Sequence, residues 1–287
     1  MFITSQLAFI AFLQHLHYPH FIAINQFLSS LSGKAFLILL PIVYWGVNEE
    51  AGKDGIVLLM ASTLLIWLIK DVTALPRPFI IDPAVKLIDA SGYSFPSGDV
   101  WATVVGYGNL AYHSKNRYFF ILTVILILLV AYSRMALGVH FPHDVIAGMV
   151  MGAAMLYLYF NYLKQKLRLI KIPPVIAFNL ALFLPLFASY LYNDKTPWRV
   201  VGILSGFWMS RALLPQPKKL TNKLLYRIIS ILLGISVLIA IVYGVNEISW
   251  WPQIFKPYYL KGLLLGLWVG FFPFLYDQVA GAINKKK

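Results

Sequence analysis

Residues Ser133 to Asp144 read Ser-Arg-Met-Ala-Leu-Gly-Val-His-Phe-Pro-His-Asp, placing an arginine, two histidines and an aspartate between two long apolar runs. Ionisable groups are expensive at such positions and mark function by default. His140 and Asp144 lie four residues apart, a spacing that lets a carboxylate orient an imidazole through its second nitrogen. That arrangement makes histidine a nucleophile or a base. The competing reading makes Asp144 the N-cap of the next helix and His140 an ordinary loop residue. His143 is a second candidate for the catalytic role, but its adjacency to Asp144 makes it less naturally oriented by that carboxylate.

Two smaller clusters upstream complete the pattern. Lys70 and Arg77 flank the end of one apolar run, and Arg134 ends another. Three cations at one membrane depth, with few acids nearby, call for an anion. Arginine offers a fork that matches phosphate oxygens, and lysine adds a point charge. The plain alternative is that these side chains snorkel from helix ends. Phe95-Pro96-Ser97-Gly98-Asp99 opens a further run, where free backbone N–H groups and the positive end of a helix dipole favour an anion. Ser97 could equally cap its own helix.

The elements that must carry these residues are membrane helices. The chain has 287 residues, 60% hydrophobic and 12% charged, and apolar runs recur along its length. Such runs suit helices crossing a hydrocarbon layer about 30 Å thick. The expected fold is all-α, a polytopic membrane helical bundle with about nine transmembrane helices. Spans are expected at about 21–47, 55–72, 98–112, 118–134, 144–163, 173–192, 197–213, 224–244 and 258–275. Span 21–47 should break near Ser29-Ser30-Leu31-Ser32-Gly33, and a charged turn should occupy 48–54. Residues 1–20 form an interfacial amphipathic segment, 21–165 the catalytic membrane core and 166–287 a C-terminal helical extension. Ala147, Gly148, Gly152, Ala153 and Ala154 should permit close helix contact.

The formal net charge of +13 raises nucleic acid as a partner. No basic run with a stacking platform lies outside the spans, so no nucleic acid is expected and the charge is assigned to topology and to anionic membrane lipids. Zero cysteines exclude thiolate catalysis and Cys–metal sites. His15, His17 and His20 present no single face for a metal, so no metal site is expected.

The order Lys70-x6-Arg77-Pro78, Pro96-Ser97-Gly98, Ser133-Arg134-x5-His140-x3-Asp144 resembles the three-part signature of the PAP2 (type 2 phosphatidic acid phosphatase) superfamily. The motifs cover Lys70 to Asp144, and the later spans loosely resemble a bacterial branch with a C-terminal extension. The resemblance implies a metal-independent, cofactor-free lipid phosphatase. Lys70, Arg77 and Arg134, with Ser97 and the Gly98 N–H, would bind phosphate and stabilise the pentavalent transition state. His140 would attack phosphorus to give a phosphohistidine, oriented by Asp144, and water would release phosphate.

One position departs from the family. The second motif usually ends in a histidine that protonates the leaving group, and here the residue is Asp99. An exposed aspartate has a pKa of about 3.9 and is mostly ionised at neutral pH. Asp99 could be protonated in the complex and act as the acid. It could instead be ionised, serving a leaving group that needs no proton. The chain could also be a non-catalytic binder or transporter of phosphorylated lipid, or a phosphotransferase passing phosphate from His140 to a second lipid.

In the nine-span arrangement, 15 of the 24 lysines and arginines fall on the face opposite the motifs. The positive-inside rule then puts the motif loops at the periplasmic or exterior face of a cell membrane. A reporter fused after Lys287 is expected to be active in the cytoplasm; activity on the other side overturns this topology.

Overall fold

A computed structural model describes residues 2–15, 20–33, 35–169, 195–214, 224–244 and 257–285, with isolated positions between 173 and 183. The described residues are helical without strands. The order is α1 (Phe2–His15), α2 (Phe21–Ser30), α3 (Phe36–Ile42), α4 (Glu49–Thr73), α5 (Pro78–Ile81), α6 (Gly98–Ser114), α7 (Arg117–Ala136), α8 (Pro142–Leu158), α9 (Lys164–Leu169), α10 (Lys195–Leu213), α11 (Leu224–Gly244) and α12 (Pro257–Lys285). Five helices among the described residues are long and apolar enough to cross a membrane: Glu49–Ile81, Arg117–Ala136, Pro142–Lys166, Arg227–Gly244 and Tyr258–Tyr276. The chain is an integral membrane protein. The span expected at 173–192, His17 and Lys286–Lys287 lie outside the described residues.

The chain divides into two compact units, Met1–Leu37 with Ala61–Leu167, and Ile38–Met60 with Arg168–Lys287. Helix α4 gives its first half to one unit and its second half to the other. Residues expected as a charged turn at 48–54 are instead the opening turns of α4. Asn48 Oδ1 accepts the Ala51 N–H at 3.0 Å, and Glu49 and Glu50 sit at the positive end of the dipole. Within the second unit, the Trp45 indole donates to the Val269 carbonyl at 2.9 Å and Arg211 reaches Tyr44 and Glu49.

All three motif clusters lie in the first unit. There α6 packs against α7 and α8, and glycine sets the distance. A Cβ on Gly148 would stand 2.7 Å from the Ser97 carbonyl, and one on Gly152 2.9 Å from Val104 Cβ. Close helix contact through small residues is the general route to association in lipid. Ala153 and Ala154, in the same run, are exposed.

Helix α1 reverses the expected polarity. Its polar residues Gln6 and Gln14 are buried, while Phe2 (68% exposed), Ile3, Phe9 and Phe12 face outward. The inward face joins a core of Ile10, Phe79, Val85, Leu137, Val139 and Phe141. Gln14 Nε2 donates to the carbonyls of Val85 (3.0 Å) and Ala136 (3.1 Å), tying α1 to the loop that follows α7.

That loop turns at Gly138, whose φ is +72°, and a Cβ there would collide with the Val85 carbonyl. Gly138→Ala is expected to lose at least about 1–2 kcal/mol from the left-handed backbone alone. The check is a lowered thermal unfolding midpoint in detergent, with Ala153→Val, on an exposed face, close to wild type.

Candidate active site

The site begins with a buried carboxylate. Asp144 is the third residue of α8, not its N-cap, and its Oδ2 reaches back to accept the Phe141 N–H at 2.8 Å. This is the acidic half of a capping box. The same oxygen accepts the Ser94 hydroxyl at 2.5 Å and lies 3.4 Å from His140 Nδ1. The Asp144 backbone carbonyl accepts the Ser97 N–H at 3.0 Å, locking the start of α8 to the start of α6.

His140 is 2% exposed, and its ring is placed by charge on both sides. Arg77 Nη1 stands 3.3 Å from His140 Nε2. A guanidinium can only donate, so Nε2 carries the lone pair and Nδ1 carries the proton, directed toward Asp144. Burial, followed by the charges of Arg134, Arg77 and Lys70, overrides the hydrogen bond to Asp144 and pushes the His140 pKa down to about 3. The ring is therefore neutral at physiological pH, with the Nε2 lone pair turned toward Arg77.

Arg77 is itself fixed by backbone. Its Nε donates to Gly92 O (2.9 Å), Nη1 to Val139 O (2.9 Å) and Nη2 to Ser91 O (2.7 Å). Lys70 Nζ donates to the carbonyls of Tyr93 and Ser94. The 73–97 connection thus closes over both cations and brings Ser94 to Asp144. Carbonyls hold these groups but carry no formal charge, so the positive charge of Lys70 and Arg77 is only partly balanced.

Arg134 is different. Its Nη2 pairs with Asp99 Oδ2 at 3.1 Å, and Nη1 donates to the Ser29 hydroxyl. Asp99 Oδ1 accepts from the Ser32 hydroxyl at 2.7 Å. The break between α2 and α3, expected from its serines, therefore supplies two hydroxyls to this pair. Ser97 is the N-cap of α6, but its side chain makes no capping bond. Its Oγ is fully buried without a hydrogen-bond partner among the described residues, as is Arg134 Nε. Buried polar atoms are nearly always partnered, so unpartnered ones at a cation-lined helix terminus fit an anion. Gly98 leaves the backbone open there; a Cβ would come within 3.3 Å of Ile66.

Direct contacts thus join Arg77, His140, Asp144 and Ser97, Lys70 reaches Asp144 only through Ser94, and Arg134 pairs with Asp99 in the first turn of α6, next to Gly98. The sequence reading did not assign Ser94, Ser29, Ser32 or Gln6. Gln6 Oε1 lies 2.8 Å from His143 Nδ1, and His143 Nε2 lies 3.2 Å from Asp144 Oδ1. Ser29 and Ser32 carry a sequence signal as the break in span 21–47, and Ser94 adjoins the second motif, whereas Gln6 is a single polar residue in an apolar run.

Fold and site together define an integral helical membrane protein whose His–Asp pair is set among three cations at helix ends. Residues 55–168 match the model of the PAP2 superfamily. Among curated proteins, the chain is 36% identical over 112 residues to an undecaprenyl-diphosphatase of Sulfolobus acidocaldarius, covering 37% of this chain and 54% of that protein. It is 28% identical over 201 residues to lipid phosphate phosphatase delta of Arabidopsis thaliana, covering 60% of this chain and 48% of that one. The chain spans about half the length of these relatives. A solved structure, a transmembrane PAP2 type phosphatidylglycerolphosphate phosphatase from Bacillus subtilis, aligns with TM-score 0.48 and 20% identity over 56% of this chain and 86% of its own.

The depressed His140 pKa has a stability consequence. Between about pH 6.5 and 3 the unfolded chain binds a proton at this residue that the folded chain does not. Stability should therefore fall as pH is lowered through that window and be independent of this group above it. Thermal midpoints from pH 7 to 4.5 are expected to fall more steeply for wild type than for His140→Gln.

Proposed function

We propose that the protein is a membrane lipid phosphatase working through a phosphohistidine, with its site at the outer membrane–water interface. The observation that carries this reading is the His140 ring. Its Nε2 lone pair sits against a fixed guanidinium, and its Nδ1–H points at a buried carboxylate. Phosphate oxygens would meet Lys70, Arg77, Arg134, Ser97 Oγ and the Gly98 N–H. These fixed donors supply the electrostatic stabilisation on which phosphoryl transfer depends. In the first step a bond forms between Nε2 and phosphorus as the bond to the leaving oxygen breaks, and Asp144 stabilises the positive ring. In the second, water attacks phosphorus, the N–P bond breaks and inorganic phosphate leaves.

Asp99 sharpens the substrate. Its ion pair with Arg134 and its bond from Ser32 suit a carboxylate, which has no proton to give a departing alcohol. A lipid diphosphate avoids the difficulty, because the departing lipid monophosphate is stable as an anion. The same carboxylate then suits the second step, taking a proton from the attacking water on the side the leaving group vacated. The preferred substrate is accordingly a lipid diphosphate, with monophosphates poorer. That one curated relative is named a diphosphatase agrees with this preference. A non-catalytic binder of phosphorylated lipid is the alternative that the occupied Arg134 favours.

Phosphate release by the purified protein from a matched lipid diphosphate and monophosphate decides between these readings. Turnover is expected to favour the diphosphate, His140→Ala to lose about a thousandfold or more, and Asp99→His to raise monophosphate hydrolysis selectively. Preference for the monophosphate refutes the role given to Asp99. Inactivity of wild type on both substrates supports the binder.

A further inference from the structure

The two oxygens of Asp144 are held differently. Ser94, the Phe141 N–H and His140 face Oδ2, whereas Oδ1 is buried without an aligned donor among the described residues. The group nearest to it is the ring of His143, with Nε2 at 3.2 Å. That ring is walled by Phe141 and Phe95, stacked at centroid distances of 5.4 and 6.1 Å, and by Phe2 of α1 at 5.7 Å. On its far side stands Gln6 of α1.

Gln6 determines the protons on the ring. Its Oε1 accepts the His143 backbone N–H at 3.3 Å, which fixes that end of the amide as oxygen. The same oxygen lies 2.8 Å from His143 Nδ1, so Nδ1 must carry hydrogen. Nε2 lies 3.2 Å from a carboxylate oxygen without an aligned hydrogen bond, and charge attracts the two only if Nε2 also carries hydrogen. Around the ring, α1 offers a neutral amide, Phe95 and Phe141 offer apolar faces, and α8 offers one carboxylate. No described cation makes a contact with it.

We propose that His143 is a doubly protonated positioning residue, held by Gln6, that clamps the Asp144 carboxylate on the face opposite the nucleophile. The clamp keeps Oδ2 turned toward His140 and balances one negative charge beside a site that must attract an anion. It also makes α1, whose outer face is apolar, part of the mechanism. This role rests on the phosphohistidine reading for its kinetic consequences, but the state of the ring does not depend on turnover.

Two measurements test it. In ¹⁵N-histidine-labelled full-length protein in detergent micelles at pH 7, with assignment by loss of the signal in His143→Leu, both His143 nitrogens are expected in the imidazolium range. A neutral tautomer overturns the proposal, whether or not the protein turns over lipid. In steady-state hydrolysis of a lipid diphosphate, His143→Leu and Gln6→Leu are each expected to lower kcat about 10- to 100-fold with KM unchanged, as for partners that orient a first-contact group. The double variant should be no slower than His143→Leu, and Gln6→Glu, which keeps an acceptor, should restore most of the rate. Wild-type kcat in His143→Leu, or additive losses in the double variant, refutes the clamp. An inert wild type defeats the phosphatase reading and leaves the spectrum to decide the clamp.

Discussion

The first unit is organised by one buried carboxylate. Asp144 accepts from the Ser94 hydroxyl and the Phe141 N–H, has the rings of His140 and His143 at 3.4 and 3.2 Å, and its own carbonyl receives the Ser97 N–H. A buried charge is tolerable only when it is this thoroughly partnered. Meeting its needs draws the 94–97 segment, the turn after α7 and the start of α8 to one point. Those pieces carry His140 and the Ser94 and Val139 carbonyls that hold Lys70 and Arg77, so the fold and the site share an anchor.

The cations are treated unequally. Arg77 and Lys70 are tethered to carbonyls, which fix position and leave charge available. Arg134 is tethered to a carboxylate, which fixes position and balances charge. Under the proposed function, an incoming phosphate would meet two open charges and one already engaged. This asymmetry, rather than the number of cations, separates the site from one with a histidine at position 99.

Much of this was legible in the sequence because each motif is a short polar block inside apolar sequence. Lys70, Arg77, Ser97, Arg134, His140 and Asp144 stand out for that reason; in the structure Arg77, Ser97, His140 and Asp144 are linked by contacts, Lys70 reaches them through Ser94 and Arg134 pairs with Asp99. What stayed hidden was of two kinds. The carbonyls of Ser91, Gly92, Tyr93 and Val139 that hold Arg77 and Lys70 have no side-chain identity, so no residue type announces them. Gln6, Ser29 and Ser32 are single polar residues whose purpose appears only when α1 and α2 meet α6, α7 and α8. The 48–54 stretch misled because its charges look like a turn, whereas Asn48 and the helix dipole make them a helix start. In α1, polar residues were expected to face water and instead face protein.

The division of α4 between the two units bears on how the chain can be taken apart. The family match begins at residue 55, inside a helix whose first turn meets Arg211 through Glu49 and whose first half belongs to the second unit. A cut that follows the boundary of sequence similarity would sever that helix and strand the residues before it. The matched region is therefore not a cassette to be transplanted whole. Grafting it elsewhere would require carrying residues 38–54 as well, or replacing the packing that they find in the second unit.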